Sequence, residues 1–350
     1  MTEDEATTPE RAFGEESRRQ LLTEYFLPFE TVAPEDAWKH AYRLLLWIDR
    51  TTGLAHCYES DKSQPGRPWY ARSLAFHDWL SKELEADAGK LNEKLDWLFI
   101  RGFERLARTL VSQNARRAVI AEQQRAKYAG FPRPGQDREF ELLILEELKA
   151  WISKVPPPDV MLQLTQRARA YFSQENKRKN LLGEGFEDVL AFLLERLPGA
   201  AKLKIKARPL LHELPGFRSP PKREKPRTVD LAILGPGKRR TLLTVKWSIR
   251  ADREEQFGVD FDAYARLDEA GEDFHYVLVT NEFDAARLAA ACERRRQNAK
   301  LFTAVVHVNP QGPLAAYGTE GRGSALNLPK HVKSGRLMSL EAWLRTLVKA

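Results

Sequence analysis

The chain has 350 residues, 43% of them hydrophobic and 30% charged, which leaves room for one large domain or two ordinary ones, two being preferred. With a mean hydropathy of −0.50 and no run of about 18 apolar residues, it reads as a soluble globular protein, and its polar N-terminus excludes a secretory signal, so the cytoplasm is expected. The formal net charge of +7 suits a polyanionic partner without identifying one.

Residues 1–18 read as a disordered tail, and 19–180 as a mainly helical N-terminal domain. Helical spacing runs through Leu91, Leu95, Leu98 and Phe99 to Phe103, Leu106 and Leu110, and again through Phe140, Leu142, Leu143, Leu145 and Leu148. In residues 44–58 two apolar runs flank Arg50-Thr51-Thr52-Gly53, and a hairpin fits as well as a helix. Pro-rich breaks at 131–134 and 156–158 divide the helical region, and 64–69 reads as a loop.

The helical pattern at 184–197 belongs with a second domain, 181–350. There the period changes: strand-like segments occupy 202–206, 228–234, 241–249, 274–280 and 301–308, with helical patterns at 283–298 and 339–348. Residues 277–308 form a strand–helix–strand unit long enough for a parallel crossover. The expected fold class is α/β (α+β): a mixed β-sheet core flanked by helices and preceded by a helical domain.

Two of these strands are joined by a Gly-Pro-Gly turn and pair as an antiparallel hairpin. Side-chain alternation puts Val229, Leu231 and Ile233 on one face and Asp230 with Ala232 on the other; on the second strand Leu243, Val245, Trp247 and Ile249 oppose Thr244, Lys246 and Ser248. Asp230 and Lys246 therefore meet on one face. A carboxylate that holds Mg²⁺ against a phosphate, beside a lysine that serves the attacking water, is what phosphodiester hydrolysis needs. The bland alternative is a surface Asp and Lys on a solvated sheet. A second carboxylate comes from the helix, where Phe186, Val189, Leu190, Leu193 and Leu197 form an apolar stripe and Glu187 lies at its edge near Leu194. Glu184, Asp188 and Glu195 fall on the far side as solvated charges.

Asp on one strand, Lys on the next and Glu on a preceding helix resemble the PD-(D/E)XK nucleases. Arg250, Asp252 and Arg253, following Lys246 in KWSIRADR, are similar to the Lys, Arg-x-(Asp/Glu)-Arg motif of the CCGG family of type II restriction endonucleases, of the BsaWI-like kind. The resemblance covers roughly residues 183–262. It implies that Arg250 and Arg253 read guanine edges and Asp252 the paired cytosines, a division of labour that hydrogen-bond chemistry supports. It also implies a restriction-endonuclease-like core, Mg²⁺ as cofactor, double-stranded DNA cut before the first cytosine of a CCGG core to leave a 5′ overhang, a homodimer or higher oligomer, and a cognate DNA methyltransferase. Thr244 stands where the commonest nuclease signature has an acid. In the CCGG family the missing acid comes from a helix about fourteen residues after the lysine; here that position is Asp260, with Asp262 as the alternative. The metal set implied is Asp230, Glu187 and Asp260.

Cys57 and Cys292, far apart in sequence, indicate neither a disulfide scaffold nor a zinc site, and the seven histidines form no metal-ligand pair. The aromatic side chains Trp47, Trp69, His77 and Trp79 read as core packing. Lys202, Lys204, Lys206 and Arg208, then Arg218, Lys222, Arg223, Lys225 and Arg227, are either a solvated face or phosphate contacts. Two rival functions remain: a structure-selective, resolvase-like nuclease, and a non-cleaving DNA-binding module in which Thr244 has abolished metal binding.

Overall fold

The computed structural model describes residues 12–57, 63–106, 138–150, 152–157, 174–236, 239–250, 254–271, 273–318 and 323–348, with isolated positions between 120 and 168. The chain divides into two compact units: residues 1–11 with 104–181, and residues 12–103 with 182–350. The first helical segments thus share a unit with the sheet. Among the described residues no helix is long and apolar enough to cross a membrane.

In chain order the larger helices are α1 (Glu15–Phe26), α2 (Ala37–Leu45), α3 (Pro68–Glu83), α4 (97–106), α5 (Arg138–Leu148), α6 (Gln174–Glu195), α7 (Gln256–Leu267), α8 (Ala285–Glu293), α9 (Gln311–Tyr317), α10 (Leu328–Lys333) and α11 (Leu340–Val348). The strands are β1 (Lys204–Ala207), β2 (Leu231–Leu234), β3 (Arg240–Lys246), β4 (His275–Thr280), β5 (Arg295–Arg296), β6 (Ala299–Lys300), β7 (Ala304–His307) and β8 (Leu337–Ser339). The fold is mixed α/β, as expected.

Six strands form one sheet in the order β1-β2-β3-β4-β7-β8. β1, β2 and β3 pair antiparallel, and β3, β4, β7 and β8 run parallel. The hairpin register sets Leu231 opposite Leu243, and the bond from Gly235 N to Arg239 O closes its turn. Both faces of β3 are buried: Leu242 joins Ala232, Leu278 and Val305 in a core with Phe257 and Tyr264 of α7 and Leu288 of α8, while Leu243 and Val245 are buried on the opposite side. This is the near-continuous apolar run that a strand covered on both faces requires.

Several elements differ from expectation. The tail does not reach residue 18, because α1 begins at Glu15 and buries Ser17 and Arg18. The open segment at 44–58 ends α2 at Leu45 and then doubles back, Ile48 bridging to Ala55 around an Asp49-centred turn; Tyr58 lies outside the described residues. The helical run from Leu91 is not continuous, since Asp96 at φ 58° separates a 3₁₀ segment, Ala88–Lys94, from α4, and Leu110 lies outside the described residues. Pro68 and Trp69 begin α3 rather than close a loop, proline at the first turn losing no helix bond. The Pro-rich break at 131–134 lies outside the described residues. The crossover helix stops at Glu293, after which β5 and β6 form a small hairpin. Val229 and Ile249 break the strand alternation, both joining the core that holds Ala232 and Leu242.

Helix α9 packs closely on α3. A Cβ at Gly312 would lie 3.2 Å from Phe76 and from Phe283, so the missing side chain permits this approach. Trp69 and His77 of α3 are buried, with His77 accepting from Ala55 N and bonding Ala88 O, which makes them structural as read from sequence. Both cysteines are buried and free.

Candidate active site

The site lies where β2 and β3 part. Strand β2 begins only at Leu231, because the Asp230 side chain intervenes between the strands: its Oδ2 accepts from Val245 N at 2.8 Å. The same oxygen accepts from Lys246 Nζ at 2.6 Å and from Thr244 Oγ1 at 3.4 Å. All three bonds fall on Oδ2, and Oδ1 takes none of them. Asp230 and Lys246 are both partly exposed. Thr244, buried, acts here as a donor that orients Asp230.

Glu187 comes from α6. Phe186, Val189, Leu190, Leu193 and Leu197 are all buried, so the stripe is real, and Glu187 at its edge is buried with it. Burial, and next the charge of Asp230, push its carboxyl up to about 7, against the pull of the Arg208 hydrogen bond and of Lys246. The helix acid and the strand acid therefore share one electrostatic neighbourhood.

Asp188 corrects the expectation of a solvated charge. It is buried and accepts from Arg18 Nε at 2.6 Å and Arg208 Nη2 at 2.6 Å. Glu184 is exposed yet pairs with Arg18 at 2.7 Å. The helical wheel, drawn for one helix, misses the partners that α1 and the segment after β1 bring to its far side. Arg208 is the residue that sequence reasoning passed over as part of a basic run. Its Nη1 reaches Glu187 Oε2 at 3.1 Å.

Asp260, on α7, is half-buried. Its Oδ1 accepts from Gln256 at 2.7 Å and lies 3.5 Å from Arg227. Burial is the largest influence raising its carboxyl, opposed by the Gln256 bond and Arg227, with the charge of Asp230 adding to the rise. Asp262 is exposed and engaged by Arg296, so it offers no substitute at the site. Of the sequence motif after the lysine, Arg250 is exposed beyond β3, whereas Asp252 and Arg253 lie outside the described residues. The main chain leading to Arg250 is fixed against the end of β4: Asn281 N bonds Trp247 O at 3.0 Å, and Ile249 N donates to Glu282 Oε2 at 2.7 Å.

The chain matches no protein-family model and none of the curated proteins.

Whether these residues suit a divalent cation follows from their donors. Hard oxygen ligands suit Mg²⁺, which is usually held by one or two carboxylates together with substrate phosphate and water. Asp230 keeps Oδ1 outside its own hydrogen bonds, and Glu187, whose ionised form burial disfavours, gains from a nearby positive charge. That pair fits. Among the described residues no three His, Cys, Asp or Glu side chains are close enough together to hold a metal by themselves, so Asp260 does not complete a three-acid cage.

Proposed function

We propose that this chain is a Mg²⁺-dependent deoxyribonuclease, a type II restriction endonuclease of the CCGG kind that cuts both strands of a palindrome. The observation that carries the reading is the 2.6 Å contact between Lys246 and Asp230 beside buried Glu187, at the open end of a hairpin in a mixed sheet. Asp230 and Glu187 would hold the cation, which when bound polarises the scissile phosphate and activates water. Lys246, fixed by Asp230 and partly exposed, presents its ammonium to the attacking water and to negative charge developing on the phosphate. Thr244 and Val245 N hold Asp230 in one orientation, so the acid is set before substrate arrives. Arg250, and with it Asp252 and Arg253, would read the CCGG bases, each chain serving one half of a two-fold site.

Incubating plasmid DNA of known sequence with the protein and Mg²⁺, then sequencing the ends, tests this. Discrete fragments with 5′-CCGG overhangs are expected; intact DNA at high protein concentration would refute it. The hydroxyl at Thr244, where the commonest nuclease signature has an acid, favours one rival, a DNA-binding module that does not cut. Site-specific retention of DNA in Mg²⁺ without cleavage would select that rival.

A further inference from the structure

Glu187 lies on α6 and Asp230 immediately before β2, and something must fix their separation. Strand β1 ends at Ala207, and Arg208 follows with φ 49°, a left-handed conformation unfavourable for a residue with a Cβ. In this conformation its main-chain N donates to the carbonyl of Asp230 at 3.0 Å. Its side chain turns to α6, placing Nη1 on Glu187 Oε2 at 3.1 Å and Nη2 on Asp188 Oδ1 at 2.6 Å. Nη2 also lies 3.2 Å from Glu15. Asp188 is gripped from its other side by Arg18, itself buried and donating to Phe13 O. One residue thus bonds the main chain of the strand acid and the side chain of the helix acid.

We propose that Arg208 is a positioning residue that sets Glu187 relative to Asp230 and so determines how well the two carboxylates take a divalent cation. The inference rests on the nuclease reading for the pair's role as metal ligands, but not on DNA cleavage. Its rival is an ion-pair network that merely fastens α1 and α6 to the sheet. A planar fork is needed to bond two acids through separate nitrogens, and lysine lacks it. The two accounts differ in sign. Through space alone a guanidinium repels a metal ion, so at a pH where Glu187 is ionised with or without the Arg208 bond that holds its carboxyl down, a fastening role predicts tighter metal binding once the charge is removed.

The experiment titrates Mn²⁺ into the full chain without DNA, in oxygen-free buffer at pH 8.5 so that Glu187 is ionised, by calorimetry or by the electron-spin signal of free Mn²⁺, for the wild type and for Arg208→Met, Arg208→Lys and Arg18→Met. Thermal unfolding is recorded alongside. We expect Arg208→Met to bind Mn²⁺ at least tenfold more weakly and Arg208→Lys, which keeps the charge but not the fork, at least fivefold more weakly. Arg18→Met is expected to lower the unfolding temperature while keeping Mn²⁺ affinity within twofold. Unchanged or tighter binding by Arg208→Met overturns the inference. So does a loss of affinity that tracks unfolding temperature equally across the Arg18 and Arg208 variants, or a wild type that binds no Mn²⁺. If the wild type binds Mn²⁺ and the Arg208 variants weaken it while no DNA is cut, the nuclease reading fails and the role of Arg208 stands.

Discussion

At the scale of single residues, the contact between Asp230 and Lys246 is where the proposed nuclease reading is most exposed to test. On the proposed reading, Asp230→Ala and Lys246→Ala should each lower the rate of DNA cleavage by about 10²–10³-fold, the range typical of removing a preorganised charge-stabilising group, when measured at equal protein concentration in Mg²⁺. Asp188 calls for a different measurement. Its replacement by Ala takes one carboxylate from Arg18, which is 3% exposed and keeps Glu184 and Phe13 O, and the loss of a hydrogen bond between charged groups costs about 1.5–3 kcal/mol. Urea denaturation should show that loss. His307 gives a pH dependence. Its Nδ1 accepts from Asn309 N at 3.0 Å and its Nε2 faces Glu282 O at 2.9 Å, so only the neutral Nε2–H tautomer satisfies both. Burial lowers this imidazole to about 4. Below the unfolded value near 6.5 the unfolded chain binds the extra proton first, so stability present above that pH is lost as pH falls from about 6.5 to 4. Unfolding free energy measured at pH 7 and pH 4.5 should reveal the fall, and His307→Gln should reduce it, leaving the part due to His40, which burial also lowers to about 4. The Asp230–Lys246 pair was legible in the sequence because period-2 alternation and a Gly-Pro-Gly turn place the two on one face. Asp188 and Arg208 were not, because their partners come from elements distant in the chain and no local period encodes them.

At the scale of elements, the segment between β1 and β2 is the basic run whose meaning the sequence left open. It is fastened to α7 at several points: Arg218 N bonds Leu267 O at 2.8 Å, Phe217 bridges to Asp268, and Arg266 holds Glu224 at 2.5 and 2.7 Å. Glu224 is thereby engaged, while Lys222, Arg223 and Lys225 point to solvent. If they contact phosphates, Lys222→Ala with Arg223→Ala should weaken duplex binding and reduce the slope of log K against log salt by about 0.9 per lost contact, measured by fluorescence anisotropy between low and moderate salt. An unchanged slope would make the segment an ordinary solvated surface. Most strands and the strand–helix–strand unit were legible from periodicity alone. The short pieces were not: β8, β5, β6 and α10 have too few residues for a period to register. Helix α7 was reached only through the resemblance. The helix expected from Leu91 onward failed for a local reason, one residue of left-handed backbone at Asp96.

At the scale of the whole molecule, the sheet binds the early helices 12–103 and residues 182–350 into one compact unit, a grouping that hydropathy along the chain does not disclose because it depends on side-chain fit such as that of Gly312 against Phe76. The palindromic target proposed above implies two copies, and on that reading sedimentation with a CCGG duplex should give two chains per duplex. The sheet itself bears on how two copies could meet. Its edge strand β1 is only four residues long, and it carries Lys204 and Lys206. A short lysine-bearing border discourages another strand from adding to it. The β1 border therefore acts as a guard against self-templated growth, and a second copy of the chain, if the proposed palindrome brings one, would not be joined by pairing through β1.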